Sequence, residues 1–161
     1  SRIESRQWRF ELMQVDATAV ARHVVELLAP LAHERGIRLA SEVPPDTMVR
    51  ADPQALEQAL VNLVENAVKY TNEGSVRVRA ERDGGTWTLS VVDTGPGIER
   101  HHLPRLFERF YRVDPGRSRE QGGTGLGLAI VKHLAQGMGG EVGVESGEGG
   151  SRFWVRLSAW G

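Results

Sequence analysis

The chain has 161 residues, 40% of them hydrophobic, which is enough to bury the core of one domain. Its 20 lysine and arginine residues nearly balance 21 aspartate and glutamate residues, and a net charge of -1 gives no general attraction to nucleic acid or to an anionic membrane. The absence of cysteine excludes disulfide bonds, thiolate metal sites and cysteine nucleophiles. No apolar run approaches the roughly 18 to 20 residues that a membrane-spanning helix needs.

Hydrophobic periodicity and turn residues predict the elements of the first half of the chain. The first are a charged helix over residues 1–9 and a short strand from Phe10 that ends before Asp16. A helix follows from Asp16 to about Arg35, and its apolar face carries Val20, Val24, Leu27, Leu28 and Leu31. The last are a strand over 37–43, a brief strand at Met48 and Val49, and a helix from Pro53 to about Tyr70. Asp16 and Asp52 are each placed to cap a helix. Pro30 should distort or divide the last turns of the first long helix.

The second half of the sequence predicts four strands, a helix, and a long irregular segment that contains a short amphipathic helix. Its elements are a hairpin of two strands around 76–81 and 87–93, a largely irregular stretch over 94–124 with a short amphipathic helix near 103–111, a helix over 125–136, and closing strands over 141–144 and 153–157. An irregular connection of about thirty residues is unusual inside a compact domain and is typical of a functional lid or of disorder.

A polar stripe follows the helix that begins at Pro53. Asn62, Asn66, Lys69 and Tyr70 are spaced so that their side chains share one face. A solvated helix face is the ordinary explanation for such a stripe. Asparagine is a mediocre helix former, however, so two of them within a helix suggest a magnesium and phosphate site, where a neutral amide oxygen is a suitable ligand. Lys69 would then donate to phosphate, and Tyr70 would offer a stacking or hydrogen-bonding surface.

A second motif, Asp-Thr-Gly-Pro-Gly-Ile at residues 93–98, follows directly after a predicted strand. A tight turn explains this composition without any function. The functional alternative uses the Asp93 carboxylate to accept a hydrogen bond from the amino group of a purine. The glycines, Gly95 and Gly97, would let the backbone approach the ring.

Glycine is dense over residues 122–128, Gly-Gly-Thr-Gly-Leu-Gly-Leu, just before a predicted helix. Glycine inside a helix costs about 1 kcal/mol per residue, so folding alone explains this segment poorly. The amide groups and dipole at a helix N-terminus favour a bound anion. Leu128 stands where GxGxxG needs glycine, and the chain has no GxxxxGK[ST], so dinucleotide-binding and P-loop interpretations fail.

Two further segments accompany the glycine-rich ones. Residues 106–112, Leu-Phe-Glu-Arg-Phe-Tyr-Arg, precede Arg117 and Arg119. Aromatic residues at this spacing generally pack, and here they would fasten the lid to the body while the arginines offer fork-shaped donors to phosphate. Residues 147–150 form a predicted hairpin turn, with a supporting role beside the glycine-rich loop as the alternative.

Taken in order, NLVENAVKY (62–70), DTGPGI (93–98), FERFYR (107–112), GGTGLGLAIVKH (122–133) and GEGGSRF (147–153) resemble the N box, glycine boxes and F box of bacterial sensor histidine kinases. The resemblance covers the chain from about Phe10 to Leu157. It implies the Bergerat fold shared with gyrase, Hsp90 and MutL: a two-layer α/β sandwich with a mixed, mostly antiparallel sheet, helices on one face and a mobile ATP lid at about 94–124. Residues 110–133 resemble the phosphate-responsive sensor type in particular.

The resemblance also implies a role for individual residues. Asn66 would be the direct Mg²⁺ ligand and Asn62 a second contributor to the metal and phosphate site. Lys69 and Arg112 would contact phosphate. The adenine would lie against Tyr70, Asp93, Gly95, Gly97 and Ile98, and the phosphate-proximal loop and lid hinge would comprise Gly123, Thr124, Gly125, Leu126, Gly127 and Leu128.

One position bears on the reaction that the resemblance implies. Gyrase and Hsp90 place a glutamate general base where this chain has Asn62, and asparagine cannot usefully take a proton from water. The chain is therefore expected to keep ATP as a donor whose γ-phosphoryl group passes to a histidine. Catalysis would rest on positioning and charge neutralisation by Asn62, Asn66, Lys69 and Arg112.

The acceptor histidine itself is expected outside this chain. His33 and Glu34 imitate the family's acceptor motif, but Arg35, Gly36 and Ile37 break the match. We therefore expect residues 1–9 to be the tail of a helical dimerisation and phosphoacceptor domain, and residues 10–161 to be the catalytic domain. The expected partners are that helical domain and a response regulator receiver domain, with no nucleic acid and no direct membrane contact.

The same resemblance predicts the setting of the domain. It would be the cytoplasmic domain of a membrane-anchored sensor, monomeric as this fragment and homodimeric as the full-length protein. Two other functions stay open from the sequence. An anti-sigma-type serine kinase of the same superfamily is disfavoured by the FERFYR segment, and a non-catalytic nucleotide-binding module is disfavoured by the intact boxes.

Overall fold

The computed structural model describes residues 8–113 and 127–161. In chain order the elements are β1 Met13–Asp16, α1 Ala17–Glu34, β2 Ile37–Ser41, β3 Met48–Ala51, α2 Pro53–Tyr70, β4 Gly74–Asp83, β5 Thr86–Asp93, a 3-10 helix Arg100–Arg105, α3 Gly127–Gly137, β6 Glu141–Gly147 and β7 Gly150–Ser158.

The main sheet in the described ranges has five strands in the order β2-β4-β5-β7-β6. The β2–β4 pair is parallel, and the other three pairs are antiparallel. β1 and β3 form a small antiparallel sheet of their own, which touches the main chain after β7 through a bridge between Val49 and Ala159. The predicted mixed, mostly antiparallel sheet is therefore confirmed.

One hydrophobic core lies between the main sheet and the helices. Alternating strand residues and the apolar stripe of α2 supply its largest fully buried side chains, among them Leu56, Leu60, Leu63, Val64, Val76, Val78, Leu89 and Leu157. Alternation puts every second strand residue on the same face, which explains why one face of the sheet carries the helices. The predicted two-layer α/β sandwich is confirmed. Within the described residues, no helix is long and apolar enough to span a bilayer.

Helix α1 begins as predicted but is not divided at Pro30. Asp16 caps it, since the carboxylate accepts a hydrogen bond from the Ala19 amide at 3.2 Å. Pro30 lies inside an uninterrupted helix on its exposed side, where water can satisfy the carbonyl that proline leaves without a donor. Leu27 was expected on the apolar face, yet it is 54% exposed, because the buried stripe runs through Ala21, Val24 and Leu28.

The strand predicted from Phe10 was placed too early. β1 starts at Met13 and includes Asp16, and residues 8–12 form no helix or strand. The Phe10 ring packs on α3 instead, where its Cζ is 2.0 Å from the position that a β-carbon on Gly137 would take. The ring centroids of Trp8 and His133 lie 5.9 Å and 6.3 Å from that of Phe10. Alternating apolar residues here cover a helix and do not pair with a strand.

The remaining predictions differ mainly at element ends. β2 ends at Ser41, although the Glu42 amide still donates to the Val78 carbonyl at 2.7 Å. The amphipathic stretch expected near 103–111 is a 3-10 helix over Arg100–Arg105 followed by turns. Helix α2 has the predicted limits, with Pro53 in its first turn and Asp52 Oδ1 accepting from the Ala55 amide at 3.0 Å. Residues 1–7, part of the predicted N-terminal helix, lie outside the described ranges.

Candidate functional site

Asp93 lies at the end of β5, opposite Ser151 at the start of β7. Its Oδ1 accepts hydrogen bonds from the Gly95 amide at 2.9 Å and from the Ser151 amide at 3.1 Å. Within the described part of the chain, Oδ2 has no hydrogen-bond partner. The residue is 9% exposed, so one carboxylate oxygen is fixed by the backbone and the other can accept a donor from a ligand.

Burial sets the acid strength of this carboxyl group. Desolvation raises the pKa of Asp93 above its ordinary value, and the two backbone hydrogen bonds from Gly95 and Ser151 lower it and so limit the increase. The backbone thus stabilises the charged form of a side chain whose surroundings disfavour charge. A purine amino group is a donor of the kind that such a buried acceptor still lacks.

The predicted turn at 95–98 is held by the β6–β7 hairpin. Gly97 has a φ of +81°, and a β-carbon there would lie 2.1 Å from the Gly147 carbonyl oxygen. The Ile98 amide donates to Ser146 Oγ at 2.7 Å, and that hydroxyl lies 2.9 Å from Ser151 Oγ. The GEGG turn therefore supports the DTGPGI segment. Glycine is required at position 97 both by its backbone angle and by this close approach.

The end of α2 meets the same turn. A β-carbon on Gly95 would lie 3.1 Å from Asp93 Oδ1, 3.2 Å from Thr71 Oγ1 and 3.4 Å from the Tyr70 carbonyl oxygen. The backbone carbonyl of Tyr70, the residue predicted to flank the base, thus lies near the turn that holds the buried carboxylate. Thr71 is 1% exposed, and its hydroxyl has no hydrogen-bond partner among the described residues. Thr71 could not be singled out from the sequence, because a threonine after a helix is common.

The other end of the polar stripe touches the start of α3. Asn62 Nδ2 donates to the Gly127 carbonyl at 3.2 Å, and Asn62 Oδ1 accepts from Gln58 Nε2 at 2.8 Å. The structure therefore brings the N box and the end of the glycine-rich segment together, as the predicted site requires. Of that segment, Gly127 and the half-buried Leu128 are described. The predicted site residues Gly123, Thr124, Gly125 and Leu126 lie outside the described ranges.

Asn66 and Lys69 occupy the next turn of α2 and are both half-buried. Lys69 Nζ lies 3.2 Å from Glu65 Oε1, an ion pair along the helix. The Asn66 side chain makes no hydrogen bond within residues 8–113 and 127–161. The same ranges contain no group of three or more His, Asp or Glu side chains that could hold a metal. The Asn66 amide oxygen is a hard, neutral ligand of a kind that suits Mg²⁺ already bound to phosphates.

The aromatic segment at 106–112 is attached to the body through part of its predicted residues, while Phe110 is 65% exposed. Leu106 is buried, and the Phe107 and Phe153 rings meet edge to face with centroids 6.2 Å apart. Arg112 lines a surface depression together with Arg105, Glu108, Arg109, Phe110 and Tyr111. In the described part of the chain no hydrogen bond joins Arg112 to Asn62 or Asn66, so its role at phosphate stays a prediction. Arg117 and Arg119 lie outside that part.

A second residue that the sequence did not single out holds the end of α2. Arg35 Nε donates to the Val68 carbonyl at 2.9 Å, and its Nη2 donates to the Lys69 carbonyl at 2.7 Å. An arginine just before the glycine that ends a helix is common, so the sequence around Arg35 does not indicate a special role. Only the tertiary packing of α1 beside α2 reveals this contact.

Known proteins are similar to this chain in sequence. Residues 51–160 match the family model described as histidine kinase-, DNA gyrase B-, and HSP90-like ATPase. The chain is 39% identical over 166 residues to the sensor histidine kinase GacS of Pseudomonas protegens, covering 98% of this chain and 18% of that protein. It is 37% identical over 164 residues to the sensor histidine kinase RcsC of Escherichia coli, covering 100% of this chain and 17% of that protein. The chain thus spans less than a fifth of the length of these relatives.

Solved structures share the fold. Full-length ShkA in complex with AMPPNP matches with a TM-score of 0.84 and 40% identity, over 98% of this chain and 33% of that one. The mycobacterial sensor histidine kinase MprB matches with a TM-score of 0.78 and 30% identity, over 92% of this chain and 98% of that one. The chain belongs to the histidine kinase-, DNA gyrase B- and HSP90-like ATPase family, as an ATP-binding domain of the sensor histidine kinase type.

Proposed function

We propose that this domain binds ATP with Mg²⁺ and donates the γ-phosphoryl group to a histidine on a separate helical dimerisation domain. From there the group would pass to an aspartate of a response regulator. The observation that carries the proposal is the placement of α2. Its C-terminal end adjoins Asp93, and two turns earlier Asn62 bonds to Gly127 at the start of α3.

The length of α2 between these ends fits a nucleoside triphosphate. A rise of 1.5 Å per residue separates Asn62 from Tyr70 by roughly 12 Å along the helix axis. Asp93, Gly97 and Ile98 form the end where a purine would lie, with the unpartnered Asp93 oxygen accepting from its amino group. At the other end the triphosphate would meet the polar stripe and the N-terminus of α3.

The polar stripe fits a magnesium ion. We propose Asn66 as its direct ligand, since the Asn66 amide is half-buried and has no hydrogen bond to lose within the described residues. Asn62 would contribute a second contact. Mg²⁺ would neutralise charge on the phosphates. Lys69 would add a donor, with Arg112 supplied from the aromatic segment.

The side chains of α2 favour transfer of the γ-phosphoryl group to a protein over hydrolysis of ATP. Asn62 has no carboxylate to accept a proton from water, and Glu65 is engaged by Lys69 at 3.2 Å. The domain would therefore hold ATP until an acceptor side chain arrives. GacS and RcsC, which are much longer than this chain, are named as sensor histidine kinases, which supports a histidine as that acceptor.

A transfer assay tests the proposal. The chain is mixed with γ-labelled ATP, Mg²⁺ and a separately produced dimerisation domain that carries the acceptor histidine. We expect label on the acceptor that is lost in acid and retained in base, and none on an acceptor whose histidine is replaced by alanine. Base-labile label on serine would support the anti-sigma-type alternative. Saturable ATP binding without transfer would support the non-catalytic alternative.

The wider setting is part of the same proposal. Residues 1–9 would be the tail of the dimerisation domain and residues 10–161 the catalytic domain. The fragment would be monomeric because its dimer contacts would lie in that helical domain, and the full-length protein would be a homodimer with this domain on the cytoplasmic side of a membrane. The likeness to phosphate-responsive sensors stays a prediction.

A further inference from the structure

Arg35 lies between the end of α1 and the start of β2, yet its side chain reaches the end of α2. The guanidinium donates two hydrogen bonds, from Nε to the Val68 carbonyl at 2.9 Å and from Nη2 to the Lys69 carbonyl at 2.7 Å. These two donors lie side by side in one plane, so they match two successive carbonyls in a way that a lysine ammonium cannot.

The carbonyls that Arg35 binds belong to the last turn of α2. The last four carbonyls of an α-helix have no amide donor within the helix, and they form the negative end of its dipole. Here the last helical bond runs from the Thr71 amide to the Ala67 carbonyl, and Thr71 has extended angles, with φ -98° and ψ 119°. Arg35 supplies the donors that a further turn of helix would have supplied, together with a positive charge.

The backbone of Arg35 is itself held in place. Its amide donates to the Leu31 carbonyl at 3.2 Å, and the next amide, of Gly36, donates to the His33 carbonyl at 3.0 Å. The guanidinium therefore extends from a fixed point on α1, and the side chain is half-buried. A donor that is held before a ligand arrives can fix the orientation of the group it binds without further loss of entropy.

We propose that Arg35 is a positioning residue of the nucleotide site. By holding the Val68 and Lys69 carbonyls it fixes the last turn of α2, and with it the directions of the Lys69 and Tyr70 side chains. It likewise sets the distance between Thr71 and the turn at Gly95. This inference rests on the proposed function, because it is that function which assigns Lys69 and Tyr70 to ATP.

Three variants of the whole 161-residue chain test the proposal. Arg35→Met keeps the apolar stem and removes both donors, and Arg35→Lys keeps the charge without the fork. Arg38→Met is the matched control, because Arg38 is an exposed arginine three residues further along, on β2. For each variant, Mg-ATP affinity is measured by calorimetry well below the melting temperature, and hydrogen exchange is measured at the Thr71 amide.

We expect Arg35→Met to weaken Mg-ATP binding about tenfold, the ratio that corresponds to one charge-assisted hydrogen bond. Exchange at Thr71 should accelerate in the same variant. Arg35→Lys should fall between Arg35→Met and wild type, and Arg38→Met should match wild type in both measurements. Combined with Lys69→Met, Arg35→Met should weaken binding by less than the product of the single effects, because Lys69 is one of the groups through which it acts.

The outcomes separate positioning from a purely structural role. A lower melting temperature for Arg35→Met with unchanged Mg-ATP affinity would overturn the inference, and so would unchanged exchange at Thr71 or fully multiplicative effects with Lys69→Met. A wild-type chain that does not bind Mg-ATP would overturn the proposed function and this inference with it. Normal wild-type binding with unaltered binding by Arg35→Met would overturn this inference alone.

Discussion

The Asn62 side-chain amide donates a hydrogen bond to the Gly127 carbonyl at 3.2 Å, joining residues 65 positions apart. Gln58 donates to the oxygen of the same amide at 2.8 Å, so both ends of the Asn62 side chain are oriented. Asn66, one turn later, has no such partner within the described residues. The two asparagines of the N box therefore have different structural roles. Asn62 ties α2 to α3, and Asn66 is held only by its backbone.

That difference predicts different effects of alanine at the two positions. Asn66→Ala should leave the free energy of unfolding unchanged or raise it by up to about 0.7 kcal/mol, because alanine is the better helix former. The same change should remove the dependence of ATP binding on Mg²⁺. Asn62→Ala has the same gain in helix propensity but loses two hydrogen bonds, so it should be less stable than Asn66→Ala by about 1 kcal/mol. Urea unfolding and calorimetry measure the two quantities, and equal stability losses for both variants would contradict this assignment.

Asp93→Asn should separate binding from stability. Asparagine keeps an oxygen for the Gly95 and Ser151 amides, but it places an NH₂ group where the second oxygen was. Two donors would then face each other when adenine binds, so we expect Mg-ATP affinity to fall about 10- to 100-fold. Folding should be retained, because the bonds to the backbone survive. Calorimetry and circular dichroism check these two expectations, and unaltered affinity would remove Asp93 from the base site.

The pKa of Asp93 predicts how the difference in stability between wild type and Asp93→Asn changes with pH. Burial raises that pKa above its ordinary value of 3.8, so the folded protein binds a proton at Asp93 more tightly than the unfolded chain does. The stability linked to Asp93 is fully present below pH 3.8 and is lost as pH rises through the raised pKa. The melting temperature of Asp93→Asn relative to wild type should therefore increase over this interval. A difference that does not change with pH would contradict the raised pKa.

Gly97 and Gly147 lie close together, but only position 97 requires glycine. Gly97→Ala puts a β-carbon 2.1 Å from the Gly147 carbonyl oxygen at a φ of +81°, so it should cost about 2 kcal/mol or more and weaken ATP binding. Gly147→Ala meets nothing within 4 Å and should be close to neutral. Thermal unfolding of both variants checks this, and a harmless Gly97→Ala would show that the hairpin can move away from the turn.

The Thr71 hydroxyl is predicted to cost stability. It is buried without a partner in the described structure, so Thr71→Val should raise the free energy of unfolding by about 1 kcal/mol, since it removes an unsatisfied polar group at constant shape. Thr71→Ser keeps the hydroxyl, loses a methyl group and should lower stability by about 1 kcal/mol. Urea unfolding distinguishes the two. A destabilised Thr71→Val would mean that the hydroxyl is hydrogen-bonded in solution.

The elements that the sequence predicts well are those whose signals are local. Helix α2 has its predicted limits because Asp52, Pro53 and a regular apolar stripe all indicate the same element. Phe10 was misplaced because its burial depends on a glycine of α3 more than a hundred residues away. Pro30 was expected to distort or divide the last turns of α1, but the helix runs on without a break, and at this exposed position water can replace the missing donor.

The residues of the candidate site differ in the same way, because some have a local signal in the sequence and others do not. Asn62, Asn66 and Asp93 could be proposed from the sequence because their types are unusual for their positions in a helix or at a strand end. Arg35 and Thr71 could not, since an arginine after a helix and a threonine after a helix are ordinary. Their contacts form only when α1 and the turn at Gly95 pack against the end of α2, which is tertiary information.

The strand order has a consequence for synthesis of the chain. β5 has β4 on one side and β7 on the other, and the backbone partner of Asp93 on β7 is Ser151. When β5 has just left the ribosome, β4 is the one strand of its final neighbours that is available to pair with it. The other edge stays open until about sixty more residues have left the ribosome, and an open edge can pair with another chain. The buried Asp93 carboxylate acquires its second backbone donor, the Ser151 amide, only when this edge is closed, so its hydrogen bonding is completed late in folding.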